Sequence, residues 1–167
     1  ESDNTILKVL TQPDRKSGRG KKINFSEVKE VALREGIEVL QPESVKTDEF
    51  ANTLRELSPD LLLVVAYGII VPKQILEIPK YGCINIHASL LPRWRGASPM
   101  EHAILSGDKK SGITFMKMTE GLDEGPIFET HECNLNADDQ LTDLGNKLFN
   151  LSKKNLIPFL KTVGEKN

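Results

Sequence analysis

The most informative stretch of the sequence is Cys83-Ile-Asn-Ile-His-Ala-Ser-Leu-Leu-Pro-Arg-Trp-Arg-Gly96. It indicates both the class of fold and the place of a site. It begins as an apolar strand that contains Asn85 and His87, two residues apart. Side chains at this spacing project from the same face of a strand, and Asn is uncommon in strand interiors. Pro92 then fixes its own φ and restrains the residue before it. We therefore expect paired polar side chains at a strand end beside a stiff turn, which suits a small-molecule site.

Predicted strands and helices alternate on either side of this stretch. Leu61–Ala66 is an apolar run without alternation, typical of a strand covered on both faces in a parallel sheet. The other predicted strands are Thr5–Leu10, Gly36–Gln41, Tyr81–His87, Gly112–Met118 and Pro126–Leu135. This spacing predicts an α/β fold with a mostly parallel sheet. In such sheets ligands bind outside the carboxyl ends of the strands, where Asn85 and His87 are expected to lie.

Four helices are predicted from apolar periodicity and from capping residues. They are a helix from the Ser26 N-cap to Gly36, a helix over Asp48–Leu57, a helix from the Ser98 cap to Gly107, and a helix that begins near Asp138. In the first helix, one face is apolar and consists of Phe25, Val28, Val31 and Ala32. Pro158 is expected to kink or end the last helix.

The composition is that of a single domain over residues 1–167, with a net charge of −2 and enough chain to bury a core. No apolar run approaches the ~18 residues of a membrane span, and the sequence shows no secretory leader. Cys83 and Cys133 lie far apart without C-x-x-C spacing, and the three histidines are scattered. We therefore expect a reduced compartment, no membrane contact and no metal site.

Positive charge is concentrated in Asp14–Lys22, which holds five basic residues and one acid. The whole chain has 22 basic and 24 acidic residues, so 17 and 23 remain elsewhere. The ordinary interpretation is a solvated loop. The alternative is contact with a phosphate backbone, which five cations would suit. Gly18-Arg-Gly20 is not a G-x-G-x-x-G fingerprint, so dinucleotide binding lacks support.

A second glycine-rich segment, Thr119-Glu-Gly-Leu-Asp-Glu-Gly125, brackets Asp123 between two glycines. Taken alone, Asp123 is interpreted as a turn residue. Asn85 and His87, taken alone, are interpreted as a hydrogen-bonded structural pair. Taken together, an amide donor, an imidazole and a carboxylate form a set that stabilises an oxyanion and handles protons. The carboxylate would also fix the tautomer of the histidine.

The remaining candidates have ordinary structural interpretations. Trp94, between two arginines, is either a stacking surface or an anchor for its loop, and the anchor is the commoner role. His102 and His131 are interpreted as structural or surface residues. No Ser or Cys lies in a nucleophile elbow, so direct attack by a substrate is favoured over a covalent enzyme intermediate.

Asn85-Ile-His87-Ala-Ser89-Leu-Leu-Pro92 with the following Arg93–Pro99 resembles the signature of the 10-formyltetrahydrofolate-dependent formyltransferases. Gly121-Leu-Asp123-Glu-Gly125 resembles the second catalytic segment of that family. The resemblance is closest to the branch that acts on initiator methionyl-tRNA. The markers of that branch are Thr11–Arg15, Gly18–Lys22, Ala66–Gly68 and Arg93–Gly96.

The resemblance implies a Rossmann-like, doubly wound sheet and formyl transfer from 10-formyltetrahydrofolate to the amino group of initiator methionyl-tRNA. It implies catalytic roles for Asn85, His87 and Asp123. The implied folate-binding residues are Ser89, Leu90, Leu91 and Pro92, and the implied tRNA-binding residues are Arg15, Lys16, Arg19, Lys21 and Lys22. It further implies no metal, a monomer, and a place in the bacterial cytoplasm or in an organelle.

Members of the family have a further strand and helix before the segment that starts here near Asn4, and a β-barrel after the catalytic domain. We therefore expect this chain to be a fragment of a larger enzyme, incomplete at its N-terminus, with two apolar strand edges exposed. Two alternatives remain open. One is a sister formyltransferase or formyl-folate hydrolase with another acceptor. The other is an inactive module that binds folate or RNA.

Overall fold

The computed structural model describes residues 4–17 and 22–165, without the side chains of residues 15–17, 22, 23, 164 and 165. The chain divides into two compact units. The first consists of Glu1–Pro59 with Tyr67–Ile78, and the second of Asp60–Ala66 with Pro79–Asn167.

The first unit contains two short pairs of strands. β1 (Val9–Leu10) pairs in parallel with β4 (Val39–Leu40). β2 (Arg15–Ser17) pairs in antiparallel fashion with β3 (Lys22–Asn24), and these two strands are the arms of a β-hairpin. Residues 18–21 of the basic segment lie outside the described residues. The strands predicted over Thr5–Leu10 and Gly36–Gln41 are thus confirmed toward their carboxyl-terminal ends but are shorter than expected. The hairpin arms were not predicted, because the charged residues in them have low strand propensity.

Three helices complete the first unit: α1 (Glu27–Arg34), α2 (Asp48–Leu57) and α3 (Lys73–Leu76). The hydroxyl of Ser26 caps α1 by accepting from the Lys29 N–H at 3.2 Å, and Gly36 follows the helix with φ 70°. Thr47 caps α2 in the same way through Phe50 N–H. The short helix α3 was not predicted.

The apolar face of α1 is mostly exposed in this structure. Phe25, Val28 and Val31 are 46%, 58% and 46% exposed, whereas Ala32 is 2% exposed. Helical periodicity identifies which residues share a face, but it does not reveal what covers that face. By contrast, the apolar side of α2 is buried at Phe50, Ala51 and Leu54.

The second unit is built on one four-stranded sheet in the order β5-β6-β7-β8. Its strands are β5 (Leu62–Val64), β6 (Cys83–His87), β7 (Lys110–Lys117) and β8 (Ile127–Asn134). β5 and β6 are parallel, like β1 and β4, whereas β6–β7 and β7–β8 are antiparallel. The α/β class is confirmed, and β7 and β8 add an antiparallel extension that apolar periodicity could not predict.

The predicted burial of β5 on both faces is wrong for this structure. Leu63 is 37% exposed and the adjoining Val65 is 59% exposed. An unbroken apolar run indicates a strand that is able to be covered on both faces. Whether both faces are covered depends on elements that the run itself does not specify.

Two helices pack in the second unit: α4 (Pro99–Leu105) and α5 (Leu141–Glu165). Pro99 opens α4 as predicted, but Ser98 has φ 55° and its side chain makes no capping hydrogen bond. Pro158 was expected to kink or end the last helix, and it does not end it, because α5 continues past it to Glu165. Packing of the surrounding leucines and Phe159 offsets the backbone hydrogen bond that proline removes.

The core of the second unit joins β6 and β7 to α4 and α5. Its buried members are apolar side chains from all four elements and from the segment after β8: Ile84, Ile86, Ala103, Ile113, Phe115, Leu135, Leu144, Leu148, Phe159 and Val163. The rings of Phe115 and Phe159 stack with centroids 4.4 Å apart. This core holds β6 rigidly, and the paired polar residues lie on that strand.

Candidate active site

β6 presents the two polar side chains that the sequence analysis singled out. Asn85 lies opposite Met116 of β7, and His87 lies opposite Thr114. Because they are two residues apart on one strand, they share a face of the sheet. His87 is 6% exposed and Asn85 is half-buried. His87 is the last residue of β6, at the carboxyl end as predicted, whereas Asn85 is the middle residue of the strand.

Asp123 reaches these residues from the loop between β7 and β8. Its Oδ2 lies 3.5 Å from Nδ1 of His87, and its Oδ1 lies 3.5 Å from Nδ2 of Asn85. Its Oδ2 also accepts a hydrogen bond from the main-chain N–H of Gly96 at 2.8 Å. The structure therefore brings the three predicted catalytic side chains together around one carboxylate.

The backbone of Asp123 is held in an unusual conformation. Its φ is 50°, in the left-handed region that Asp and Asn tolerate better than most residues. Gly125 fits tightly behind it, since a Cβ there would lie 1.8 Å from the carbonyl oxygen of Lys117. Glycine at this position is therefore required for the close approach of the loop to β7.

The imidazole of His87 contacts polar groups through both ring nitrogens. Its Nε2 lies 2.9 Å from the carbonyl oxygen of Trp94, which is able only to accept, so Nε2 carries a hydrogen. Its Nδ1 faces the Asp123 carboxylate at 3.5 Å. A proton exchanged between ring and carboxylate would therefore move on the Nδ1 side. This geometry suits a proton-handling pair.

The turn after β6 is fastened to β7 through Thr114. The Thr114 hydroxyl donates to the carbonyl of Ser89 at 2.7 Å and accepts from the N–H of Leu91 at 3.1 Å. The Ser89 hydroxyl in turn donates to the carbonyl of Arg93 at 2.6 Å. The stiff turn expected from the sequence is confirmed, and hydrogen bonds as well as Pro92 maintain it.

The four predicted folate-binding residues of this turn do not face the same way. Ser89 and Leu91 are buried, at 1% and 8% exposure. Leu90 is half-buried and Pro92 is exposed. Only Leu90 and Pro92 thus present side-chain surface that a ligand is able to contact, whereas Ser89 and Leu91 build the turn.

Trp94 is an anchor within this segment. Its indole N–H donates to Oδ2 of Asp108 at 2.8 Å, and Arg93 donates two hydrogen bonds to the same carboxylate. The Arg93 guanidinium lies 4.1 Å from the indole ring, and the imidazole of His102 stacks on Trp94 at 5.2 Å. Hydrogen bonds from Arg93 hold the pKa of Asp108 below its usual range, and the Trp94 hydrogen bond adds to this against the opposite effect of burial. His102, which had no predicted partner, is a structural residue packed on this anchor.

The predicted tRNA-binding residues are only partly described. Arg19 and Lys21 lie outside the described residues, and the side chains of Arg15, Lys16 and Lys22 also lie outside the description. The backbone places Lys16 opposite Ile23 and Ser17 opposite Lys22 in the β2–β3 hairpin.

Asp14 anchors the start of this hairpin. Its carboxylate pairs with Lys29 and accepts from Nε2 of Gln41 at 2.9 Å. Hydrogen bonds from Lys29, and then from Gln41, lower the pKa of Asp14. The one acid of the basic segment therefore serves the fold of the first unit.

Sequence reasoning missed the groups that orient the site. The N–H of Gly96 and the carbonyl of Trp94 are main-chain groups, which carry no residue-type signal. Asp108 directly follows the helix-ending Gly107, which is the only sequence signal that this carboxylate offers. Residues 4–17 and 22–165 contain no group of three or more His, Cys, Asp or Glu side chains that could hold a metal ion. None of the described helices has the length and apolar character needed to cross a bilayer.

Comparison with solved structures gives the class of fold. The crystal structure of phosphoribosylglycinamide formyltransferase from Anaplasma phagocytophilum superposes with a TM-score of 0.80. The match covers 97% of this chain and 76% of that chain at 22% identity. The fold is therefore that of the formyltransferases, as the sequence resemblance implied.

Comparison of sequences gives the family. The Formyl transferase family model matches residues 1–160, and the chain belongs to this family. It is 52% identical over 164 residues to a methionyl-tRNA formyltransferase of Francisella philomiragia, covering 98% of this chain and 53% of the relative. It is 50% identical over 161 residues to a methionyl-tRNA formyltransferase of Caldanaerobacter subterraneus, covering 96% of this chain and 52% of the relative. The chain spans about half the length of the curated relatives it matches.

Proposed function

We propose that the protein transfers a formyl group from 10-formyltetrahydrofolate to the α-amino group of initiator methionyl-tRNA, and so serves translation initiation. The observation that carries the proposal is the Asp123 carboxylate, which lies 3.5 Å from both the Asn85 amide and the His87 imidazole. The choice of acceptor is supported by the methionyl-tRNA formyltransferases that are about half identical to this chain. These relatives are bacterial, which supports a bacterial cytoplasmic enzyme.

The reaction requires one bond to form and one to break. The uncharged amine nitrogen attacks the formyl carbon, and negative charge develops on the formyl oxygen. The bond from that carbon to N10 of the folate then breaks. The amine loses one proton and N10 gains one, so the products are formyl-methionyl-tRNA and tetrahydrofolate. The protein has to stabilise the oxyanion and transfer this proton.

Asn85 and His87 are suited to stabilise the oxyanion. The Asn85 amide has two hydrogens, and its contact with Asp123 is at the long end of hydrogen bonding. It is therefore able to donate to the formyl oxygen. For His87, Nε2–H is already engaged by Trp94, so Nδ1 is the nitrogen that would donate. It would do so as the imidazolium, in which both ring nitrogens carry a hydrogen.

Asp123 is suited to transfer the proton. The 3.5 Å gap between its Oδ2 and Nδ1 of His87 exceeds a normal hydrogen bond. A proton taken from the attacking amine would reach the carboxylate and then pass toward N10, directly or through a water. The bond from Gly96 keeps the carboxylate in place during both steps.

The two substrates are proposed to contact separate elements. Leu90 and Pro92, whose side chains are the ones of the turn that are not buried, are proposed to contact the folate. The basic segment, with Arg15, Lys16, Arg19, Lys21 and Lys22, is proposed to contact tRNA phosphates, because its net charge is opposite to that of the rest of the chain. The proposed enzyme needs no metal and acts as a monomer.

The decisive experiment is an acceptor assay with the full-length protein. It supplies 10-formyltetrahydrofolate with methionyl-tRNA, with phosphoribosylglycinamide, or with water alone, and follows tetrahydrofolate together with the formylated product. We expect formyl-methionyl-tRNA to form at least ~100-fold faster than the other products. Preferred use of another acceptor would favour a sister formyltransferase or a hydrolase. No turnover with substrate binding intact would favour an inactive module.

A variant pair tests the site in the same assay. Asn85→Ala removes one oxyanion donor and should lower kcat about 100-fold or more, as loss of a single donor does elsewhere. Asn155→Ala is the matched control, because its amide donates only to the carbonyl of Leu151 within α5. The control should turn over within about twofold of the wild type. Equal turnover by both variants would contradict the role of Asn85.

A further inference from the structure

We propose that Asp108 is a positioning residue for His87 and acts through Trp94. The inference rests on the proposed function of His87, but the contacts that carry it do not depend on which acceptor is used. Asp108 lies outside the motifs that identify the family resemblance, and it touches neither Asn85 nor Asp123 in any described contact.

The first step is the contact between Asp108 and the Trp94 segment. The carboxylate accepts from Nε of Arg93 at 2.9 Å, from a terminal nitrogen of Arg93 at 2.7 Å, and from the indole N–H of Trp94 at 2.8 Å. Its side chain is 14% exposed. An ordinary surface ion pair is exposed on both sides and contributes little. Here a shielded carboxylate with three donors fixes two consecutive side chains.

The second step runs from the Trp94 side chain to its backbone. Trp94 has φ 60°, a left-handed conformation that is costly for a bulky residue and persists only where the surroundings enforce it. The hydrogen bond to Asp108, the packing of Arg93 and His102 on the indole, and the contact of Trp94 with the apolar core enforce it. Without the Asp108 carboxylate, the indole N–H and the Arg93 guanidinium both lose their acceptor.

The third step runs from the Trp94 backbone to the catalytic imidazole. The carbonyl of Trp94 accepts from Nε2 of His87 at 2.9 Å and so sets the rotation of the ring. That rotation directs Nδ1 toward Asp123 at 3.5 Å. A displacement of the carbonyl would turn the ring, and misplacement of a catalytic group by about 1 Å is able to cost ~100-fold in rate. Asp108 therefore acts on the orientation of His87 without contacting it.

The test combines a side-chain readout with kinetics in the full-length protein. The ¹⁵N-edited NMR signals of the His87 ring report whether Nε2 keeps its hydrogen bond. Asp108→Ala should shift the Nε2 signals away from the wild type and lower kcat about 10- to 100-fold, with KM for both substrates within about twofold. Asp108→Asn keeps an oxygen for the indole N–H and should restore most of the signal and kcat to within about threefold.

Two further variants complete the test. Glu132→Ala is the control, because it removes a carboxylate that pairs with Lys110 rather than with Trp94. It should leave the His87 signals and kcat unchanged. Trp94→Phe keeps an aromatic ring but removes the indole N–H, and it should shift the His87 signals in the same direction as Asp108→Ala. Trp94→Phe takes the place of Asp108→Ala in the test if the alanine variant does not fold.

The inference is overturned if folded Asp108→Ala and Trp94→Phe both give wild-type His87 signals. It is also overturned if Asp108→Asn behaves like Asp108→Ala in both readouts. Because the NMR signals need no substrate, these outcomes remain distinct from failure of the proposed function, which the acceptor assay reports.

Discussion

The main-chain N–H of Gly96 donates a hydrogen bond to Oδ2 of Asp123 at 2.8 Å, which joins the segment after β6 to the loop after β7. Because Oδ2 also faces Nδ1 of His87, one oxygen atom links the backbone of one segment to the imidazole of the other. One substitution can therefore remove the charge of this oxygen while keeping its position, and another can change its position while keeping its charge.

Asp123→Asn tests the charge while keeping the position. Asn tolerates the φ of 50° at this site, and its side-chain oxygen is able to accept from Gly96. The variant should fold normally, yet lose about 100-fold or more in kcat because it cannot take a proton. The measurement is steady-state kinetics beside thermal unfolding.

The control for this variant is Asp143→Asn, which changes a carboxylate that accepts from the main-chain N–H of Gln140 at the start of α5. The control should keep kcat within about twofold. Retained activity in Asp123→Asn would reduce Asp123 to a turn residue, the ordinary interpretation of its sequence context.

Gly125→Ala tests the support of the loop rather than its chemistry. A Cβ at this position would lie 1.8 Å from the carbonyl oxygen of Lys117, so the backbone has to move. We expect a loss of about 1–3 kcal/mol in the free energy of unfolding, the usual cost of overpacking. We also expect a fall in kcat, because the displaced loop carries Asp123. Urea unfolding and steady-state kinetics check both.

Gly145→Ala is the matched glycine control, since nothing lies within 4 Å of a Cβ there and the residue is inside α5. Alanine at an open helical site should stabilise the protein by about 1 kcal/mol and leave kcat unchanged. If both variants behave alike, the close approach of Gly125 to β7 has no consequence.

The pKa of Asp108 predicts how its stabilising effect varies with pH. Arg93 lowers this pKa in the folded protein, whereas an unfolded Asp titrates near about 3.9. A lowered folded pKa adds stability that is fully present above the unfolded value and is lost as pH falls through the folded value. The difference in unfolding free energy between wild type and Asp108→Asn should therefore be largest at neutral pH and shrink below about pH 4.

Urea unfolding of the two proteins at a series of pH values measures this difference. The lowered pKa values of Asp14 and Asp139 affect both proteins equally and cancel in the subtraction. A difference that stays constant down to pH 3 would show that the carboxylate charge of Asp108 contributes nothing to stability.

Local sequence rules predicted the catalytic cluster because its geometry is mostly local. Asn85 and His87 share a face through strand periodicity alone. Two glycines indicated that the loop of Asp123 could adopt a special conformation. The distance between Asp123 and His87, however, depends on the antiparallel pairing of β6 with β7, because Asp123 lies in the loop that follows β7. Periodicity does not encode strand direction.

The same limit explains the errors in the fold. Pro158 lies inside α5 because tertiary packing outweighs a local helix-breaking preference. The exposed face at Val28 and the exposed Leu63 show that an apolar pattern indicates which surface is able to be buried, and not what buries it. The sequence could not reveal that the Trp94 carbonyl contacts His87, because every residue type carries a main-chain carbonyl.

The basic segment provides the last prediction, which separates the proposed acceptor from its rivals. Neutralising Arg19, Lys21 and Lys22 should weaken the use of methionyl-tRNA and flatten its salt dependence, since each lost phosphate contact removes ~0.9 from the log–log slope. Folate affinity should not change, because the Leu90–Pro92 surface is a separate element. The measurement is kcat/KM for methionyl-tRNA against ionic strength in the full-length protein.

The matched control neutralises three exposed lysines of α5, Lys153, Lys154 and Lys161, which removes the same charge from another surface. If both triple variants keep the wild-type slope, the segment does not contact tRNA, and a small-molecule acceptor becomes the better proposal.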